Sequence, residues 1–466
     1  MKIGLVGSSS QQRSLPFNAE RTVNFFPVFD QQGKEVAALY GTPGLSLFSS
    51  AGTGSIRGCF SCANGRAFVV SANQLYEILS NGTSILRGML VTYSGIVSMD
   101  ENGFQVAICD GTNVYMFTFA TNVFNQVTDV DLPQSATITF IDGYFVVNKK
   151  SSGQFNISKQ FDGFTWGALD FATAESSPDE LIRVINAVGQ LWLFGTFTTE
   201  VWTNTGDSVF PFQRISGAKL EVGILAPHTA VALDNSVFWV GRDRLGAGMV
   251  YRAKGFSPSK ISTNAIDLRI QSAPDQESLR AYTYEEEGHV FYVITGGGME
   301  TTLVYDVSTD IWHERAYLNS EGEYETHLGA CGMYAFNKFL VGDKAGGNIY
   351  QMNMGIYSDN GNPILRERIY THLSDEGKRI RYNTLEIGVE AGLGLQSGQG
   401  SDPQVSLLLS RDGAKTWSDK YTTSIGRVGN YMTKIVFRRL GIAEQMTFRI
   451  QISDPIRVAI TGSYLT

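Results

Sequence analysis

Cys59 and Cys62 stand in a CxxC spacing, at which paired thiols exchange disulfides or contribute half of a zinc site. No second pair follows, and the five histidines are scattered without zinc-ligand spacing. Cys59, Cys62, Cys109 and Cys331 therefore read as small buried thiols. Adjacent carboxylates occur at Asp179-Glu180 and Glu285-Glu286-Glu287. Glycoside cleavage needs two carboxylates flanking the scissile bond, and runs of neighbours read instead as solvated faces. Gly241 to Gly248 mixes glycine with arginine but lacks the GxxxxGK[ST] order that cradles phosphate. His313 and Glu314 are consecutive, and consecutive strand residues face opposite ways, so they are poorly placed to act as one acid–base pair. Neither GxSxG nor HExxH is present. The residues assign no catalytic group, cofactor or metal.

Two phrases point to architecture. Ser410-Arg411-Asp412-Gly413-Ala414-Lys415-Thr416-Trp417 resembles the Asp-box hairpin of sialidase-type propellers, with its glycine one position early, and Phe161 to Trp166 echoes the second half. In such hairpins the aspartate caps the turn and the tryptophan packs beneath it, which makes Asp412 and Trp417 expected structural residues. Gly296-Gly297-Gly298, then Tyr305-Asp306 and Trp312, follows the spacing of a kelch-type blade, in which Tyr305 and Trp312 would pack between blades. Similar units at Leu191–Trp202, Phe238–Tyr251 and Phe339–Tyr350 give an expectation of five to seven blades.

The elements that must carry these phrases are short strands. Asx-Gly dipeptides, a hairpin signal because both turn positions favour positive φ, begin at Asn64, Asn81, Asn102, Asp110, Asp142, Asp162, Asn360 and Asp412. Apolar runs lie between them, among them Gln105–Cys109, Tyr144–Val147, Leu191–Phe194, Val237–Val240 and Val290–Ile294. The chain of 466 residues has 50 glycines, 12% aromatic and only 18% charged residues. Long surface helices need more charge than that, while 43% hydrophobic residues exclude disorder. Helix is expected only after Ser262 or Thr263, with another turn or two within Asp275–Tyr282. The expected fold is all-β: a β-propeller-like body with a C-terminal β-sandwich-like domain.

No stretch is long and apolar enough to span a membrane, and the apolar start Ile3–Gly7 is too short for a secretory signal. A soluble product of a cytoplasm is the expectation. The net charge of −8 divides unevenly: residues 364–466 hold 14 basic and 10 acidic side chains, leaving the rest at −12. With the new strand series after residue 364, this predicts an N-terminal arm over 1–45, a body over 46–363 and a C-terminal β domain over 364–466. The glycine-rich stretch Gly388 to Asp402 reads as a loop, and Gly241–Gly248 and Gly392–Gly400 are candidate contact or gating loops. An electrostatic grip on DNA requires a basic surface, so contact with nucleic acid should be loose.

Several phrases in one order, taken together, resemble a phage family: Asn18-Ala19-Glu20-Arg21-Thr22-Val23-Asn24-Phe25-Phe26-Pro27, Gly41-Thr42-Pro43-Gly44-Leu45, Trp166 to Glu175, Ile261 to Ile266, Gly288 to Val293, Val304-Tyr305-Asp306 with Trp312-His313-Glu314, and Ser453-Asp454-Pro455. The family is that of the tail hub or nozzle proteins of short-tailed phages, also called packaged DNA stabilisation proteins or tail accessory factors. The resemblance implies a homohexameric ring in the virion tail, below portal and adaptor. That ring would close the DNA channel after packaging and conduct DNA at ejection, with a tail spike or fibre and a tail needle or plug as further partners. By the same resemblance Asn24, Pro27, Pro43 and Gly44 belong to a clamp tying the N-terminus to the body or to a neighbouring subunit. An acidic body would let duplex DNA slide past.

Two other readings stand beside it. A carbohydrate-active or carbohydrate-binding propeller predicts an axial pocket where arginine and carboxylate side chains converge. A kelch-like interaction module rests on Gly296 to Trp312.

Overall fold

The computed structural model describes residues 2–30, 36–174, 179–242, 245–246 and 248–466. Among these there is one α-helix, Asn264–Gln271, starting after Thr263, and a single 3-10 turn at Gln276–Ser278; the remaining regular structure is strand.

Seven antiparallel blades follow one another between Ile56 and Asn353. Their first strands are Ile56–Ser61, Ser98–Glu101, Ser135–Ile141, Leu181–Ala187, Val231–Leu233, Arg280–Glu286 and Gly329–Ala335. Each packs beside the first strand of the next blade, and the seventh packs back on Ile56–Ser61, so the ring closes. The seventh blade takes its fourth strand from far upstream: Gly44–Ser50 pairs antiparallel with Asn348–Asn353. Apolar residues fill the spaces between blades. Phe238, Val240 and Val250 of blade five, for example, meet Tyr292, Leu303, Tyr305 and Trp312 of blade six.

First and second strands are joined by two-residue connections at Asp142-Gly143, Val188-Gly189, Asp234-Asn235, Glu287-Gly288 and Phe336-Asn337, all with positive φ at both positions, as a type I′ turn requires. Asp142-Gly143 and Asn360-Gly361 are the two Asx-Gly pairs with this conformation. Asn64, Asn81, Asn102, Asp110 and Asp412 leave positive φ to their glycine alone. Their side-chain oxygens accept backbone N–H groups two to four residues on, as Asp110 Oδ1 does from Thr112 (3.0 Å) and Asn113 (2.7 Å). Side-chain capping, rather than paired positive φ, is what these five supply. Asp162-Gly163 is no turn at all; it opens the strand Asp162–Thr173, and Phe161 (φ 55°) occupies the turn.

Beyond Pro363 the chain builds two facing sheets. One runs in the order Phe25–Phe29, Ala37–Gly41, Ala459–Leu465, Ile380–Val389, Ile435–Ala443; the other contains Arg366–Ile369, Gln445–Ile452, Gln404–Ser410 and Tyr421–Ser424. Leu385, Ile387, Phe437 and Ile460 from the first meet Leu407, Leu409, Phe448 and Ile450 from the second. Ile3, Leu5, Phe25 and Leu39 complete this core, so the start of the chain is packed inside the sandwich. Gly388, expected in a loop, is the penultimate residue of Ile380–Val389.

Candidate functional site

The N-terminal segment lies where propeller and sandwich meet, and its residues explain why it is held there. Arg21–Val23 pairs in parallel with Ile311–Leu318, the outer strand of blade six, and antiparallel with Arg366–Ile369 of the sandwich. One eleven-stranded sheet therefore runs from blade six through three residues of the arm into the C-terminal unit.

These strands are unusual for a charge-poor chain because their buried faces are charged. Arg21, Glu314, Arg366, Glu367 and Arg368 are all nearly inaccessible. Arg21 Nε reaches both carboxylate oxygens of Glu314 (3.1 and 3.0 Å) and Nη2 reaches Oε2 at 2.8 Å. Arg269, on the only helix among the described residues, approaches the same oxygen at 2.5 Å, and the Thr301 hydroxyl donates to it at 2.7 Å. Burial alone would raise the Glu314 carboxyl; Arg21, Arg269 and Thr301 outweigh it and hold the group well below the usual carboxylate range. On the sandwich side, Glu367 accepts from Arg449 Nε and Gln451 Nε2, both at 2.7 Å. Arg368 donates to the Leu5 carbonyl (2.8 Å), the Thr22 hydroxyl (2.9 Å) and the Glu20 carboxylate. Breaking a buried pair of this kind leaves a charge without a partner.

Asn24 fixes the arm where it leaves the joint. Its φ of 55° is left-handed, which asparagine tolerates better than most residues. Its amide donates to the carbonyls of Ala316 (3.0 Å) and Leu365 (2.9 Å), while Oδ1 accepts from Ala316 N (2.9 Å). One side chain thus ties blade six, the inter-domain connection and the arm. Pro27 is buried in Phe25–Phe29, an edge strand, where the missing N–H is tolerated. The Pro43 carbonyl accepts from Arg315 Nη2 at 2.6 Å. Gly44 N donates to Ile356 O at 2.9 Å, and a Cβ at Gly44 would lie 2.4 Å from that oxygen and 2.6 Å from Ser358 O.

The other expected structural residues occupy separate places. Tyr305 and Trp312 pack ring on ring at 5.0 Å; Trp312 Nε1 donates across the blade boundary to Ile261 O at 3.0 Å, and Tyr305 Oη to Asp310 at 2.6 Å. Asp412 caps a hairpin loop of the sandwich, accepting from the Thr416 hydroxyl (2.6 Å) and from the backbone of Thr416 and Lys415, which keeps its carboxyl well below the ordinary range. Trp417 lies under Arg449, at 5.1 Å from its guanidinium, and so touches the Glu367 network. Asp162 makes the corresponding contacts in blade three, with Phe164 N and the Thr165 hydroxyl.

The CxxC cysteines do not face each other as a pair. Cys59 neighbours the Cys331 thiol across the seam of blades one and seven, while Cys62 is buried near Glu101, and all four cysteines are free. His313 is buried, and its surroundings push it down to about 3, so it stays neutral. Of the candidate loops, Gly241–Gly248 contains Asp243, Arg244 and Ala247, which lie outside the described residues, as does Glu175. Gly392–Gly400 sits at the sandwich tip beside a second loop, where Gly429 N donates to Gly392 O at 3.2 Å. That tip exposes Val428, Tyr431 and Met432, the last at 93%.

The network at the joint was hidden in plain view. Charged residues inside otherwise apolar strands, Trp312-His313-Glu314-Arg315 and Arg366-Glu367-Arg368, signal buried ion pairs in a chain this poor in charge.

Comparison with known proteins gives a propeller followed by a sandwich in the same order along the chain. A family model described as bacteriophage P22 Gp10, beta-propeller, matches residues 1–357, and one described as bacteriophage P22 Gp10, beta-sandwich, matches residues 366–466. No curated protein matches the chain. Among solved structures, the extracellular domain of BT4673 from B. thetaiotaomicron is similar at 7% identity and a TM-score of 0.45, over 66% of this chain and 39% of that one. The chain thus spans about two fifths of that structure's length. YCF48 bound to D1 peptide is similar at 12% identity and a TM-score of 0.40, over 67% of this chain and 97% of that one. The N-terminal domain of Nup159 shows 10% identity and a TM-score of 0.40, over 76% and 98%.

Proposed function

From the premise that this chain belongs to the bacteriophage P22 Gp10 family, and is thereby a structural protein of a phage tail, we propose that it forms a six-membered ring below the portal and adaptor. The ring closes the DNA channel after packaging and conducts DNA at ejection, without catalysis. Spike or fibre and needle or plug attach to the assembled ring.

The observation that carries this reading is the joint. A subunit that holds packaged DNA in place must resist being pulled apart between its domains. Here the two domains share one hydrogen-bonded sheet, with charged pairs buried on both sides of the shared strand. Ring contacts are assigned to the sandwich tip, where Val428, Tyr431 and Met432 offer apolar surface to a second copy of the chain. Heterologous contacts of this kind close into rings when their rotation allows. The acidic excess of residues 1–363 suits a wall along which phosphates pass without being gripped.

Loss of genome retention is the test. DNA-filled capsids bearing portal and adaptor should release DNA to added nuclease, and become resistant once this chain is supplied. Resistance without it would remove the channel-closing role.

A further inference from the structure

The first strands of the blades line a cavity of about 260 Å³ on the propeller axis, open to solvent on one side. Arg57, Arg183, Arg280 and His228 line it, with the Cys59 and Cys331 thiols on one wall, and among the described residues that line it there is no aspartate or glutamate. It is therefore not the pocket that glycosidic cleavage would need, in which carboxylates flank the bond. What it concentrates instead is positive charge.

The three guanidiniums differ in how they are satisfied. Arg57 is spent on the fold: it donates to the carbonyls of Gly95, Thr92, Ala72 and Ser94 at 2.6–2.8 Å. Arg57 also donates to the Thr92 hydroxyl (2.9 Å), which in turn donates to Asp110 (2.9 Å), so the carboxylate facing Arg57 reaches it through that hydroxyl. Arg183 Nε and Nη1, and Arg280 Nε, are closed to solvent and have no hydrogen-bond partner among the described residues. The Arg280 Nη1 contact to Ile56 O is long, at 3.4 Å. Asp100 attracts Arg183 from behind this wall, while its own oxygens are held by the Thr139 hydroxyl (3.0 Å), Phe140 N (2.7 Å) and Glu101 N (2.9 Å). Burial lowers Arg183 to about 10, and burial together with Arg183 and Arg280 pushes His228 well below its ordinary range. Buried donors without acceptors are costly, and guanidinium forks match the oxygens of phosphate and sulfate.

We propose that the axial cavity is a binding site for a small free oxyanion of the phosphate or sulfate class, held between Arg183 and Arg280. The site is independent of ring formation, because every residue that lines it belongs to the one chain. Its size suits an ion of a few atoms; a nucleic-acid strand is too large to enter.

Inorganic phosphate and sulfate are the probes. Titrated into the full chain at constant ionic strength against chloride, each should raise the melting temperature saturably, because a ligand that binds only the folded state stabilises it. Calorimetry should show one site per chain. Arg183→Met should abolish the phosphate-dependent shift, whereas Arg379→Gln, on the exposed surface, should retain it. Arg280→Gln serves as the second variant should Arg183→Met not fold. A wild-type melting temperature that follows chloride and phosphate alike would overturn the site. Displacement of bound phosphate by a short single-stranded oligonucleotide would overturn its assignment to a free small ion.

Discussion

Arg21 and Glu314 lie almost three hundred residues apart in sequence, yet they meet as a two-pronged ion pair at the boundary of two domains. The backbone pairing of Val23 with Glu314 sets their approach. Arg21→Met should destabilise the protein by about 3–5 kcal/mol, because the Glu314 carboxylate stays buried with Arg269 as its remaining cation. The double variant Arg21→Met with Glu314→Gln, which removes the buried carboxylate charge but leaves an oxygen for Arg269 and the Thr301 hydroxyl, should recover part of that loss. Chemical denaturation of the four proteins in the cycle checks it; equal losses in single and double variants would show that packing, not charge, holds the arm.

Asn24 makes a sharper claim about the same joint. Asn24→Ala strands the N–H and carbonyl of Ala316 and the carbonyl of Leu365 in a buried place, at about 1–3 kcal/mol for each group left unsatisfied. Hydrogen exchange should accelerate along Ile311–Leu318 and Arg366–Ile369 together, since both lose the same partner. Acceleration confined to one of them would contradict the shared role.

At Gly44, where the chain passes from sandwich to propeller, the constraint is space rather than charge. Gly44→Ala places a Cβ against the backbone oxygens of Ile356 and Ser358, which cannot withdraw as a side chain can. A loss of about 1–3 kcal/mol is expected, with protease sensitivity appearing in Asn348–Asn353, the strand that Gly44–Ser50 covers. Wild-type stability would mean that the strand is not needed to close the seventh blade.

Buried histidines set the pH dependence. His313 titrates at about 3 in the fold, and burial holds His228 and His327 well below their ordinary range; unfolded, each binds a proton near pH 6.5. As pH falls below about 6.5 the unfolded chain takes up protons that the folded chain refuses, so stability falls, by about 1.4 kcal/mol per pH unit for each proton. Asp359, raised by burial to about 6, and Asp100 and Glu286, also raised by burial, bind protons in the fold and offset part of this loss. Glu314 adds to the loss below about pH 4.3, because its folded form resists protonation. Melting temperature should therefore decline from pH 7 to pH 5; a flat or rising profile would contradict the neutral, buried state of these imidazoles.

Much of the fold was legible in the residues, and the limits have physical causes. Alternation and turn chemistry mark strands such as Gln105–Cys109 to the residue, because both depend on neighbours along the chain. The blade spacing of Tyr305 and Trp312 likewise reflects a local hairpin. What sequence does not display is pairing across hundreds of residues. The use of Gly44–Ser50 by the seventh blade, the insertion of Ile3 and Leu5 into the sandwich core, and the meeting of Arg21 with Glu314 all depend on how the chain returns on itself. At Asp162-Gly163 the turn falls one residue earlier than the dipeptide suggests, because the residue taking positive φ is Phe161, a type that rarely does.

The ring proposed for this phage tail protein stands or falls on its assembly state on the adaptor. Cryo-electron microscopy or native mass spectrometry of the purified chain mixed with portal–adaptor complex should show six copies in a closed ring, with neighbouring subunits in contact at Val428, Tyr431 and Met432. A chain that remains monomeric in the presence of the assembled adaptor would contradict the account.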